Sequence, residues 1–214
     1  MLNAIRNARG LRSRRRLGLT AVLGAAAVAL SGGASAQAAL ISTLSCDSST
    51  LTQPFAPWGD TSPYKLVPGG DFEGGLAGWT LSGGARAVAG SEPFAATGSV
   101  GASSLELPAG AVAQSPFTCV NAAYPTLRFF ARDSSLLSTV LVQVVYKTPL
   151  GVQLTIPVGA VALSSKWAPT LPMLTASAVP GLLNGGTAQV ALRFTALLGP
   201  SQIDDVYIDP RCSH

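Results

Sequence analysis

Gly69-Gly70-Asp71-Phe72-Glu73-Gly74, followed by Gly78-Trp79, and Ile203-Asp204-Asp205-Val206-Tyr207 stand near opposite ends of the chain. Each sets carboxylates among core-type residues at the two-residue spacing of a strand, in which successive side chains point to opposite faces. In the first, Asp71 and Glu73 share one side and Phe72 takes the other. In the second, Asp204 and Asp205 point to opposite faces. The glycines around Asp71 and Glu73 let the backbone turn tightly and gather carbonyl oxygens. The expectation is a first and a last strand lying side by side, with a carboxylate from each converging.

Between these stretches, short apolar runs alternate with Gly and Pro punctuation, the pattern of a sandwich or barrel. Strands are expected at Tyr64–Val67, Ala77–Leu81, Arg86–Ala89, Ser103–Leu107, Ala111–Phe117, Thr126–Arg132, Ser138–Lys147, Val152–Val158, Trp167–Thr175, Ala188–Thr195 and Gln202–Ile208. Val190, Leu192 and Phe194 share one face, with Gln189, Arg193 and Thr195 on the other. Leu127, Phe129 and Ala131 oppose Thr126, Arg128, Phe130 and Arg132, while Val140, Val142, Val144 and Tyr146 oppose Leu141, Gln143, Val145 and Lys147. Such alternation means one face on a core and one nearer solvent. A single turn near Ala176–Leu183 is the one helical candidate after the leader. The reading is one all-β sandwich over residues 64–210, with a short tail at 211–214.

The N-terminal residues 1–36 read as a signal peptide. Arg6, Arg9, Arg12, Arg14, Arg15 and Arg16 precede an apolar run from Leu17 to Leu30, and Ala34 and Ala36 suit cleavage before Gln37. Cleavage after Ala38 fits nearly as well, and Ser13-Arg14-Arg15 also suits a twin-arginine route. The run is shorter than the roughly 20 residues that span a bilayer. Residues 37–63 read as an extended arm rich in Ser, Thr and Pro. Of 14 Lys and Arg, six precede the cut, so 8 basic face 10 acidic residues afterwards, a net charge of −2. That leaves no basic patch for nucleic acid, and no further apolar run for a membrane. The expected address is secreted.

Export delivers Cys46, Cys119 and Cys212 to an oxidising compartment. Cys46–Cys119 is the expected disulfide, stapling the arm to a strand end and stabilising by about 4 kcal/mol through loop closure. Cys212 is then a free thiol, giving a monomer, or a link between two chains, giving a dimer. No catalytic function is expected, because the single histidine is His214, the last residue. Nucleophile–histidine arrangements and histidine-bearing zinc sites therefore lack their key group. A glycosidase carboxylate pair has no aromatic-rich segment around it.

A sugar stacks an apolar C–H face on an exposed aromatic ring while polar neighbours take its hydroxyls. The outward set Arg128, Phe130 and Arg132 fits that need, unless a loop or the arm, through Trp58 and Tyr64, covers it. Trp79 and Trp167 are expected in the core. Asp71, Glu73, Asp204 and Asp205 supply the hard oxygens that Ca²⁺ takes; turn capping, or pairing with Arg193, Arg86 or Lys65, is the alternative.

The two terminal stretches resemble those of jelly-roll, galactose-binding-like carbohydrate-binding modules. The resemblance implies a jelly-roll β-sandwich and a structural Ca²⁺ held by Glu73 and Asp205, with Asp204 as the alternative ligand. It also implies an extracellular or cell-wall glycan as partner. More narrowly, the chain is similar to secreted actinobacterial proteins of unknown function with a Gly-Asp-Phe-Glu-Gly start, an Arg-Phe-Phe-Ala segment (here Arg128–Ala131) and an Asp-Asp-Val-Tyr-x-Asp-Pro end. A structural or adhesive extracellular protein with no specific sugar ligand is the competing reading.

Overall fold

The alternating valines and phenylalanines need two apolar sheet faces pressed together, and the computed structural model has them. It describes residues 49–121, 126–133, 138–147, 151–175 and 187–209, all within one unit, Ala38–His214. The segment 1–36 expected to direct export, Cys46, Cys212, the turn expected at Ala176–Leu183 and the tail lie outside the described residues.

In chain order the strands are β1 (Lys65–Leu66), β2 (Thr80–Ser82), β3 (Arg86–Ala89), β4 (Ser103–Leu107), β5 (Val112–Gln114), β6 (Thr118–Asn121) and β7 (Thr126–Asp133). There follow β8 (Thr139–Lys147), β9 (Gln153–Ala162), β10 (Ala168–Pro169), β11 (Met173–Leu174), β12 (Thr187–Leu198) and β13 (Ser201–Ile208). The first sheet runs β10-β7-β13-β4-β3, with β1 also on β13 and β11 also on β7. The second runs β2-β5-β12-β8-β9, with β6 also on β12. Every pairing is antiparallel. The result is the expected jelly-roll β-sandwich, its terminal strands β1 and β13 side by side.

The core lies between the sheets. Leu127, Phe129 and Ala131 of β7, and Ile203, Val206 and Ile208 of β13, meet Val140, Val142 and Val144 of β8 and Val190, Leu192 and Phe194 of β12. Burying each such side chain stabilises the fold by about 1.5–3 kcal/mol. Trp79 joins this core as expected, packed between Phe72 at 5.0 Å and Phe194 at 6.3 Å. Its indole N–H donates to the Pro68 carbonyl at 3.1 Å, so burial leaves no unpaired polar atom.

Two expected strands are interrupted, each at a proline. The strand expected at Ala111–Phe117 is confined to β5, and pairing resumes only in β6 beyond it, because Pro116 has no N–H to continue the ladder. Ser115 repairs the break, donating its N–H to the Leu192 carbonyl at 2.8 Å and accepting the Leu192 N–H on Oγ at 2.9 Å. Trp167–Thr175 becomes β10 and β11 around Thr170-Leu171-Pro172. There Thr170 bonds Phe129 through both its N–H and its hydroxyl, and Leu171 is thrown into solvent.

The arm is not simply extended. A bridge pairs Thr52 with Tyr64, a single 3₁₀ turn covers Ala56–Trp58, and Phe55 drives into the outer face of the first sheet. Its ring meets Tyr64 at 5.0 Å, Phe130 at 5.4 Å and Tyr207 at 5.7 Å. The Arg128 guanidinium lies 4.1 Å over the same ring and is paired to Asp60 at 2.7 Å. Arg128 also donates through Nε to the Thr170 carbonyl at 2.8 Å. A buried guanidinium is tolerable only with partners of this kind.

If the arm is part of the fold, Phe55→Ala should cost about 3–5 kcal/mol, the usual penalty for emptying a buried phenylalanine site. Urea unfolding followed by tryptophan fluorescence would show it as a lower midpoint. A shift worth under about 1 kcal/mol would mean that the arm unfolds independently of the sandwich.

Candidate functional site

The two terminal stretches meet through glycine. Gly70 accepts the Val206 N–H at 3.0 Å, and Val67 donates to the Val206 carbonyl at 2.9 Å. A Cβ at Gly70 would lie 2.9 Å from two carbonyl oxygens, those of Val206 and Val67, so the approach requires a residue without a side chain. Opposite Gly70, β13 slips register against β7 between Asp204 and Tyr207 and takes Asp205 to φ +47°. That bulge corrects one expectation: Asp204 and Asp205 do not diverge to opposite faces, and both are buried in one acidic node. Asp71 and Glu73 are likewise on a turn, with Phe72 at φ +57°, rather than on a strand.

Within the node the carboxylates serve the backbone. Asp204 accepts from the Ser91 hydroxyl at 2.6 Å, from the Glu92 N–H at 2.9 Å and from the Asp205 N–H at 2.9 Å. Glu92, which sequence reasoning missed, is fully buried beside them and accepts from the N–H groups of Phe94 and Ala96. Glu73, by contrast, is exposed and accepts from the Ala102 and Ser103 N–H groups at 2.7 and 2.8 Å. It ties the glycine turn to the strand entry at β4. Burial, partly offset by the Ser91 and backbone hydrogen bonds, raises the Asp204 carboxyl to about 6. Asp205 is pushed up to about 8 by burial first, then by the charges of Asp204 and Glu92. Burial also raises the Tyr207 hydroxyl, which donates to the Ala96 carbonyl at 3.1 Å.

Hard, desolvated oxygens that repel one another suit a hard cation by their chemistry. The set expected for Ca²⁺, Glu73 with Asp205 and Asp204, is nonetheless not assembled. Among the described residues no three His, Cys, Asp or Glu side chains form a group arranged to hold a metal ion. Glu92 is the carboxylate that stands against Asp205, within hydrogen-bonding reach.

The aromatic platform expected from Arg128, Phe130 and Arg132 is closed. Phe130 is 0% exposed and Arg128 4%, because Phe55 and Trp58 of the arm and Phe94 of the β3–β4 loop cover them. Arg132, at the uncovered margin, donates to Gln202 at 2.6 Å and lies 5.0 Å over Trp167. Trp167 therefore packs on this outer cluster and not in the central core. Cys119 on β6 is disulfide-bonded, and both other cysteines lie outside the described residues.

The outer face of the second sheet carries a polar row, beside which the outward-pointing Val145 and Ala191 are buried. Register places Thr80, Gln114, Arg193, Gln143 and Pro157 in one row across β2, β5, β12, β8 and β9. Their neighbours Ala113, Leu192, Phe194, Val142 and Val144 point into the core, so the row points out. Gln114, Arg193 and Gln143 are partly exposed, and Thr80 and Pro157 exposed. Among the described residues, none of the three long polar side chains is spent on a hydrogen bond or an ion pair. The period-2 alternation of β8 and β12 gave Gln143 and Arg193 their face. Their alignment with Gln114 needed the strand order.

No protein-family profile and no curated protein matches this chain. Among solved structures it is similar to the enzymatically active domain of tailspike protein 4 of bacteriophage CBA120, at 16% identity and a TM-score of 0.45. That match covers 67% of this chain and 21% of the tailspike. It is also similar to the CBM22-1 xylan-binding domain of Paenibacillus barcinonensis Xyn10C, at 16% identity, covering 65% of this chain and 90% of the domain with a TM-score of 0.42. The family 11 carbohydrate-binding module of Clostridium thermocellum, solved with a β-1,3-1,4-mixed-linked tetrasaccharide, matches at 14% identity, 71% and 98% coverage and a TM-score of 0.43.

The acidic node gives a pH dependence of defined sign. The ordinary aspartate value is 3.8, and the folded values are about 6 for Asp204 and about 8 for Asp205. Between these limits the folded state holds more protons than the unfolded state, so stability falls as pH rises. In chelator, the melting temperature should drop from pH about 4 to pH about 8 and level off above. Asp205→Asn should flatten the upper part of that decline and melt higher than the parent at the alkaline end. A parent melting curve that rises through this window would refute the protonated node.

Proposed function

We propose that the chain is a secreted, non-catalytic glycan-binding module whose ligand lies across the outer face of the second sheet. The observation that supports this most directly is the row Gln114, Arg193 and Gln143. It has three planar polar groups one strand apart, partly exposed and with their hydrogen-bonding capacity unspent. Carboxamides both donate and accept, and a guanidinium donates from a rigid fork, which together match the mixed donor and acceptor character of sugar hydroxyls. Strands spaced about 4.8 Å apart set the three groups over about 10 Å, long enough for an extended oligosaccharide.

In this reading residues 1–36 direct export and are removed, the bond at Cys119 closes with Cys46, and a structural Ca²⁺ is held at the node. Asp205 and Glu92 would be its only side-chain ligands, the rest of its shell coming from backbone carbonyls, because no third carboxylate among the described residues is arranged to join them. The ion would relieve their mutual repulsion and fix the loop that carries Phe94. It has no part in sugar chemistry. Cys212 remains free or links two chains.

Affinity electrophoresis in gels containing soluble polysaccharides tests the face. A retarded parent, with Gln143→Ala and Arg193→Ala variants that migrate freely while keeping their β-rich circular dichroism, is the expected result. Variants retarded like the parent would exclude this face.

The metal is tested separately by thermal melting. If Ca²⁺ binds only the folded state, a hundredfold excess over its dissociation constant adds about 2.7 kcal/mol. Chelation should then lower the melting temperature by several degrees, and Ca²⁺, not Na⁺, should restore it. Asp205→Asn should abolish the response. Identical curves with and without chelator would leave the carboxylates as turn caps.

A further inference from the structure

The outer face of the second sheet is also set apart by charge. Strands β2, β5, β6, β8, β9 and β12 contain no Asp or Glu. The described carboxylates lie elsewhere: Asp60 on the arm, Asp71 and Glu73 on a turn, Glu92 in the β3–β4 loop, and Glu106, Asp133, Asp204 and Asp205 on strands of the first sheet, with Asp209 just beyond β13. Every described arginine of the first sheet has a partner. Arg86 is paired with Glu106, Arg128 with Asp60, and Arg132 with Gln202 and the Trp167 ring. Arg193, in the middle of the polar row, has no such partner among the described residues. A partly buried guanidinium with no counter-charge is a cost to the fold that an incoming anion removes.

We infer that the preferred ligand is an acidic polysaccharide in which the carboxylate of a uronic acid sits on Arg193. The inference rests on the reading of this face as a glycan site. A guanidinium fork and a carboxylate match as two parallel N–H···O bonds, geometry that a sulfate ester does not need and a methyl ester cannot supply. Gln114 on one side and Gln143 on the other, each one strand away, take hydroxyls of the same sugar or of its neighbours. Among the described residues, no strand of this sheet carries a carboxylate that would repel a polyanion.

Titration calorimetry on the intact chain with four ligands tests this: polygalacturonate, its methyl ester, a neutral galactan and dextran sulfate. Polygalacturonate should bind and weaken as salt is raised, and esterification should remove most of the affinity. Arg193→Gln keeps hydrogen-bonding capacity without charge; it should reduce polygalacturonate binding about tenfold or more with an unchanged melting curve. Galactan bound as tightly as polygalacturonate, and indifferent to Arg193→Gln, would overturn the acidic ligand and leave the glycan site standing. Dextran sulfate bound equally well would replace carboxylate recognition by attraction to any polyanion and so overturn the inference. Binding of none of the four would overturn it together with the glycan reading beneath it.

Discussion

The sandwich is organised around one strand with a fault in it. β13 is central to the first sheet, paired with β7 on one side and with β4 and β1 on the other. Its bulge at Asp204–Tyr207 is gripped from outside by Gly70, whose missing Cβ lets the N-terminal turn close on Val206. A straight strand would send Asp204 and Asp205 to opposite faces and place one of them in the apolar core, where an unpaired carboxylate is costly. The bulge instead turns both toward Ser91 and Glu92 while Val206 and Ile208 still reach the core. Extra twist and a re-aimed side chain are what a bulge contributes. Here they reconcile an acidic motif with a buried strand.

The same strand explains why the two outer faces differ. Tyr207, beyond the bulge, stands outward and helps form the aromatic box that Phe55 fills. Once the arm lies on that box, Arg128 and Phe130 are interior residues, and the Arg128–Asp60 pair closes the seam. Asp60 is held below the ordinary carboxylate value even though burial alone would raise it, because Tyr64 and Arg128 donate to it. The first sheet has thus used its outer polar and aromatic groups on the chain itself. Across the core, Gln114, Arg193 and Gln143 of the second sheet enter no hydrogen bond or ion pair among the described residues.

How much of this was readable depends on the range of the forces involved. β3 and β4 fall on their expected residues, because alternation and flanking turns are local signals. The breaks at Pro116 and Pro172 were written in the sequence, but repair by Ser115 and Thr170 depends on partners far along the chain. The node was half visible. Asp204 and Asp205 announced themselves by their motif, whereas Glu92, in Ser91-Glu92-Pro93 between strands, carries no periodicity that distinguishes it from a surface loop acid.

By itself, then, the sequence determined an all-β chain with a two-faced pattern, a core of Val, Leu and Phe at alternate positions, and terminal strands that pair. Period and burial preference are properties of single strands. Which outer face the arm covers, and which charges meet, is set by strand order and by where the arm comes to rest. Those are decided by contacts between residues such as Phe55 and Tyr207, or Gln114 and Arg193, that lie many tens of positions apart. No local pattern encodes such a meeting; the packing of the two sheets does.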